Sequence, residues 1–373
     1  MFAKRIIAGL AIALGTLFPQ GVQAMPIFAQ RYLLHCETCH TVLPELNAFG
    51  QAFRARGYRL PAPAHGTTLV ALRYQLEYER DPAPGAPRFT PGGVVLSDAQ
   101  IGAIDAYLHY NLGAQGGPSG AYLAFLAHYN EHTGTIYRAG LYELPLIHSP
   151  GQRLDDLTTY GYEGAHVGLD DLTLTQPRWG LEAERRVGVA TVAATLALGE
   201  FKGAAYGGKP IATGVSTQPA QPELGAYVRV PVASWLQVSG DALTGARSIA
   251  PTGRAPFDDA YRRSALGADA SFKRLGLLVE QWWGSDANAD GFGTSVGSSG
   301  GFARLRYTVG DHAYVGFRYD AAATPTASRD TVVYAAMQIF GRARILVEQR
   351  HAQGGATTFG GALTVGLPSP LKW

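Results

Sequence analysis

From about residue 100 onward this chain repeats one pattern: runs of about ten residues in which apolar and polar side chains alternate, divided by turn-rich stretches. In residues 101–112, Ile104, Ala106, Leu108, Tyr110 and Leu112 share one face, and Asp105, Tyr107, His109 and Asn111 share the other. In residues 121–130, Ala121, Leu123, Phe125 and Ala127 oppose Tyr122, His128 and Asn130. Ala303, Leu305, Tyr307 and Val309 oppose Arg304, Arg306 and Thr308, and Val315, Phe317 and Tyr319 oppose Tyr314, Arg318 and Asp320. A period of two belongs to a β-strand. Charge confined to one face marks strands that are apolar outside and polar inside, the pattern of a transmembrane barrel. A water-soluble sandwich alternates too, but hides its apolar face between two sheets.

Turn spacing favours the barrel. Residues 202–222, 244–262, 285–300 and 321–330 read as long loops, and tight turns fall near Pro231, Arg274, Gly310 and Gly341. Long loops on one side and short turns on the other are the rhythm of outer-membrane barrels. The chain ends on an aromatic residue, Trp373, which suits a final strand, whereas Pro368 and Pro370 do not. The predicted fold is an all-β outer-membrane barrel of about sixteen antiparallel strands, contacting lipid and enclosing an aqueous lumen. Residues 153–160 fit either a further strand or a loop folded into that lumen.

The N-terminus reads as an export signal. Lys4 and Arg5 precede an apolar run from Ile6 to Phe18, and Val22-Gln23-Ala24 forms a small-residue cleavage site. The predicted divisions are a signal peptide over 1–24, a plug over 25–60 and a porin-like barrel over 61–373. The predicted location is the bacterial outer membrane. The chain carries 31 basic and 29 acidic residues. Removing a leader that holds Lys4 and Arg5 balances the two, so no basic surplus is left for nucleic acid.

The only two cysteines lie in Cys36-Glu37-Thr38-Cys39-His40. In a C-x-x-C-H run the thiols form thioethers with haem and the histidine binds the iron. A thioredoxin-like pair would not need the histidine and would follow a βαβ pattern. One covalently bound haem c is therefore predicted, held by Cys36 and Cys39, with His40 as proximal iron ligand. Leu43, Leu46, Phe49, Gly50 and Phe53 recur at helical spacing after the motif, and Gly57 stops the run. About thirty residues cannot enclose a haem, so the remaining walls must come from the barrel. His109 and His128, on polar strand faces, are the candidate distal ligands, with Met25 and His65 next. Met337 shares a face with Val333, Ala335 and Ile339 and should meet lipid.

From Met25-Pro26-Ile27-Phe28 through Cys36–His40 to Asn47-Ala48-Phe49-Gly50-Gln51-Ala52-Phe53 and Gly57-Tyr58, the chain resembles the fused outer-membrane monohaem cytochrome-porins of the iron-oxidising type. Gly140-Leu141-Tyr142-Glu143-Leu144-Pro145-Leu146 and the barrel layout resemble them too. The resemblance implies a small α-helical haem plug, a porin of about sixteen strands, and an electron conduit. Extracellular ferrous iron would be the donor, and a periplasmic soluble cytochrome or copper protein the acceptor. On this reading the chain is a one-electron relay with ferrous-iron oxidation as its activity, and no acid–base or nucleophilic constellation is needed. Two other classes compete: a solute porin in which the haem gates or senses, and an exported soluble cytochrome with a β-domain. A conduit for another donor would leave the same pattern.

Asp286-Ala287-Asn288-Ala289-Asp290-Gly291 matches the first half of a calcium loop, but its twelfth position is Gly297. A hydrogen-bonded turn is the plainer reading. Some inward-facing arginines should pair with haem propionates, since a guanidinium matches a carboxylate as a fork. No single arginine stands out from sequence.

Overall fold

Alternation becomes a ring. In the computed structural model, sixteen strands close into one antiparallel barrel. The first half comprises β3 (Thr68–Glu79), β4 (Phe89–Ile101), β5 (Ile104–Asn111), β6 (Gly120–Asn130), β7 (Thr135–Tyr142), β8 (Arg178–Val187), β9 (Ala190–Glu200) and β10 (Val215–Ala233). The second comprises β11 (Leu236–Pro251), β12 (Phe257–Phe272), β13 (Leu275–Asp286), β14 (Val296–Val309), β15 (Ala313–Thr324), β16 (Thr326–Ile339), β17 (Ala343–Ala352) and β18 (Thr357–Leu367). Each strand pairs with its neighbours in sequence, and β18 pairs with β3 to close the ring. Closure leaves no strand edge with unpaired backbone groups, which is what a hydrocarbon surrounding requires.

The structure describes residues 26–32, 34, 36–42, 45–56, 58–60, 68–80, 88–112, 120–146, 156–158, 160–161, 167–169, 177–200, 215–310, 312–324, 326–339, 343–355 and 357–367. The signal peptide, Met25, His35, His65, Arg342 and the terminal Pro368, Pro370 and Trp373 lie outside them.

On β14 to β17 the faces fall as the alternation predicts. Leu305, Tyr307, Phe317, Val347 and Met337 are exposed on the outside. Arg306, Arg318, Asp320 and Glu348 point inward and are buried. Short turns join the strands at one end, at residues 102–103, 188–189 and 273–274. Lys273 takes a left-handed φ of 53° there, the conformation a two-residue hairpin turn needs.

On three points the structure changes an expectation or decides between two. The strands reach into the segments read as long loops: β11 pairs with β10 out to Pro251–Val215, and β15 runs on to Thr324 with β16 starting at Thr326. There the exposed face turns polar, at Ser216, Gln218, Asp258 and Arg262, while Thr217 and Asp259 stay buried, so polar residues fall on both faces and the sequence alternation fades. Pro219 and Pro231 sit at register shifts of β10, where a residue lacking an N–H is tolerated. Secondly, residues 156–158 and 160 are a loop segment inside the lumen, and no strand.

The third change concerns β6. His109 pairs with Leu123 and Tyr110 pairs with Ala121, so Tyr122 is an extra residue with no partner opposite. Such a bulge shifts the phase of all that follows. Phe125 and Ala127 therefore face Tyr107 and Asp105 on the inner side, and His128 pairs with the outward, exposed Ile104.

Before the barrel come three helices, α1 (Pro26–Tyr32), α2 (Cys36–Cys39) and α3 (Ala48–Ala55), and a two-stranded hairpin of β1 (His40–Val42) and β2 (Glu45–Leu46). The helical spacing read from Leu43 onward is realised only from Ala48. Asn47 caps α3 by accepting from the Gly50 N–H at 2.9 Å, so the helix starts there.

Candidate functional site between plug and barrel wall

The plug is small but has its own aromatic core. Phe28 stacks on Tyr58 with ring centroids 4.2 Å apart and meets Phe53 edge-on at 6.0 Å. Tyr32 meets Phe53 edge-on as well, and its hydroxyl accepts from the Leu60 N–H. This core packs on inward-facing residues of the wall: Ala71 of β3, with Val94 and Leu96 of β4. Tyr107 of β5 lies over Phe28 at 6.3 Å. The plug is therefore seated inside the barrel, on the β3–β5 wall.

A buried ion network holds it there. Arg31 of α1 reaches Asp98 of β4 at 2.5 Å and Asp105 of β5 at 3.7 Å. Arg59 reaches the same Asp105 at 2.5 Å and donates to the Gly102 carbonyl in the adjoining short turn. Arg31, Asp98 and Asp105 are all buried. Their positions in sequence gave no sign of this contact. The available hint was two acidic residues on inward positions of adjacent strands.

The C-x-x-C-H segment is α2 and the first residue of β1. Cys39 is a buried free thiol, and burial pushes its pKa up. It is thus kept from becoming the thiolate that a redox-active pair would need. Around it the backbone is tightly held. The Cys39 carbonyl accepts from the Asn47 N–H at 2.9 Å, and the Asn47 side chain donates to the Thr38 carbonyl. Helix α3 approaches so closely that a Cβ on Gly50 would lie 2.1 Å from the Cys39 carbonyl oxygen. Only glycine fits at that crossing. His40 is half-buried beside it.

On the wall, His109 is buried and its Nε2 has no hydrogen-bond partner. Asn111 bonds the imidazole from two residues along the strand, and Tyr122 packs edge-on at 5.0 Å. His109 lies directly across from Leu96, which is part of the plug's packing surface. The His109 Nε2 is therefore a buried nitrogen left free to take a partner. His128 is not brought to the plug; its Nδ1 lies 3.0 Å from the Ala103 carbonyl at the short-turn rim. Of the expected haem residues, Cys39 and His40 lie in the plug and His109 on the wall it packs against, donor types that suit a c-type haem.

The lumen holds a second packed body, the loop after β7. Leu144, Leu146 and Tyr160 join inward residues Tyr227, Leu243 and Trp282 in one apolar cluster. Arg318 of β15 binds Asp156 at 2.5 Å and Asp320 at 2.9 Å, and lies 3.8 Å over the Tyr160 ring. Glu348 of β17 accepts from the Leu157 and Thr158 N–H groups.

The calcium-like stretch is an internally bonded turn. Asp286 is buried against Arg263 at 2.8 Å, Asn288 accepts from the Gly293 N–H, and Asp290 accepts from the Phe292 N–H. No cluster of metal-binding side chains occurs among the described residues.

No protein-family model and no curated protein matches the chain. Among solved structures it is similar to the outer membrane channel DcaP of Acinetobacter baumannii, with a TM-score of 0.58 and 12% identity over 80% of this chain and 96% of that one. It is similar also to an anion-selective porin from Comamonas acidovorans, with a TM-score of 0.57 and 12% identity over 82% and 99%. A loop-deleted OmpT of Vibrio cholerae gives 0.53 and 15% over 81% and 99%. These likenesses establish the porin-like barrel fold. A closed sixteen-strand barrel with an apolar outer face and outer-membrane porins as its structural neighbours is a bacterial outer-membrane protein in contact with lipid.

Proposed function

We propose that the chain is an outer-membrane electron conduit built around one haem c, attached through Cys36 and Cys39 with His40 on the iron. The observation that supports this reading is that Cys39 packs in the plug's core against Leu96, the strand partner of a buried wall histidine whose Nε2 is unsatisfied. Haem bound there would supply a one-electron iron couple. The chain's own residues do the rest. Arg31 and Arg59 hold the plug on the wall, Gly50 lets α3 close over the attachment helix, and His109 would be the wall residue that binds the iron. The plug and the loop after β7 line opposite parts of the lumen with packed side chains, which suits an insulated relay better than a wide solute channel.

Ferrous iron outside and a soluble cytochrome or copper protein in the periplasm are the donor and acceptor that the sequence resemblance implies. Buried Asp286 is already paired and offers that donor no site, so encounter with iron rests on access to the lumen and needs no tight binding. Mixing oxidised protein with ferrous iron in detergent, under stopped flow, should reduce the haem in one phase. If another donor reduced it and ferrous iron did not, the iron assignment would fall and the conduit would stand. A second reading, a solute porin whose haem gates, is favoured by the barrel fold and by the inward arginines Arg304, Arg306 and Arg344. It requires single-channel conductance that changes when the haem is removed.

A further inference from the structure

We propose that Arg73 is the wall residue that pairs with a haem carboxylate, so that plug and barrel grip the cofactor together; this rests on the haem reading above. Two rows of inward residues cross strands β3, β4 and β5 side by side. The lower row is Ala71, Leu96 and His109, and the upper row is Arg73, Val94 and Asn111. Ala71, Leu96 and Val94 touch the plug, His109 carries the unsatisfied Nε2, and Asn111 bonds the His109 ring. Arg73 completes this patch on its open side, near enough to His109 and Tyr107 to act on both electrostatically.

What separates Arg73 from the other wall arginines is its lack of a partner. Arg138 is paired with Glu182, Arg178 with Glu223, Arg263 with Asp286 and Arg318 with Asp156. Arg229 donates to the Pro145 carbonyl at 2.6 Å. Among the described residues Arg73 has neither an ion pair nor a hydrogen bond, whereas each of these others has a partner. A half-buried guanidinium without a partner can match a carboxylate in two parallel hydrogen bonds. Haem carries two propionates, so a group of the right charge and shape arrives with the cofactor the site already fits.

Arg73 acts here as a positioning residue, and its signature is electrostatic. A unit charge removed from within about 10 Å of a redox centre, at an effective dielectric of about 20, shifts a one-electron equilibrium about tenfold, or about 59 mV. Holoprotein carrying Arg73→Gln should retain covalent haem and a heat-modifiable barrel. Its midpoint potential should drop by about that amount, because the lost positive charge favoured the reduced iron. The propionate bending mode in resonance Raman should move as well. Arg73→Lys keeps the charge and loses the fork, so it should hold most of the potential and still move the Raman mode. If the Gln variant does not fold, the Lys variant decides through that mode. Covalent haem with an unchanged potential and Raman mode in the variants overturns the role of Arg73 alone. Absence of covalent haem from the wild-type protein overturns the haem reading, and this inference with it.

Discussion

Replacing Asp98 by Asn should release the plug from the wall without opening the barrel. Asp98 and Arg31 are 2% and 1% exposed, and the pair is 2.5 Å apart. Removing one partner of such a pair leaves the other charge buried and uncompensated, at a cost of about 3–5 kcal/mol. The lower end applies here, because Asp105 stays 3.7 Å from Arg31 and continues to offset its charge. About 3 kcal/mol corresponds to a roughly 150-fold shift in the docking equilibrium. Hydrogen exchange reads this directly. Amides of α1 should lose about two orders of magnitude of protection, while those of β11–β14 keep theirs. Replacing both partners, Arg31→Leu with Asp98→Leu, should restore much of the protection, since two apolar groups leave no orphan charge. If Asp98→Asn changes protection in α1 by less than about threefold, the ion network does not hold the plug.

Three further substitutions probe the rest of the lumen. Gly50→Ala drives a Cβ onto the Cys39 carbonyl, so α3 must separate from α2; thermal unfolding of the plug should weaken by about 1–3 kcal/mol, with the barrel transition unchanged. Arg318→Met strands Asp156 and Asp320 and should free the loop after β7, seen as proteolytic cleavage between Leu146 and Asp156 that the wild type resists. His109→Ala should convert a low-spin haem spectrum toward high-spin, and His128→Ala should not; an unchanged His109→Ala spectrum moves the second ligand elsewhere.

The barrel was legible because its strands report their burial one residue at a time. Leu305, Tyr307 and Phe317 outside and Arg306 and Arg318 inside need only a period of two to be assigned. The same rule failed on β6, where one unpaired residue, Tyr122, reverses the phase and sends His128 to the outer face. No local pattern signals a bulge of that kind. It failed again at the outer ends of β10 to β12, where exposed residues such as Gln218 and Asp258 are as polar as the buried Thr217 and Asp259. The proposed haem attachment rests on sequence alone, because its chemistry lies in five consecutive residues, Cys36 to His40. What fixes the plug was not legible there: Arg31 and Asp98 stand 67 positions apart, and Asp156 meets Arg318 across 162. Arg73 was one of many basic residues until the wall around it showed which of its neighbours were already paired.

The central claim is a single haem bound covalently at Cys36 and Cys39 within an outer-membrane barrel. Its most direct measurement is haem staining and a pyridine haemochrome assay on outer-membrane protein purified from cells able to attach c-type haem. One covalent haem per wild-type chain is expected, comigrating with a heat-modifiable barrel, and none in Cys36→Ala/Cys39→Ala protein whose barrel still folds. A wild-type chain without covalent haem, or a covalent signal that survives loss of both cysteines, would contradict it.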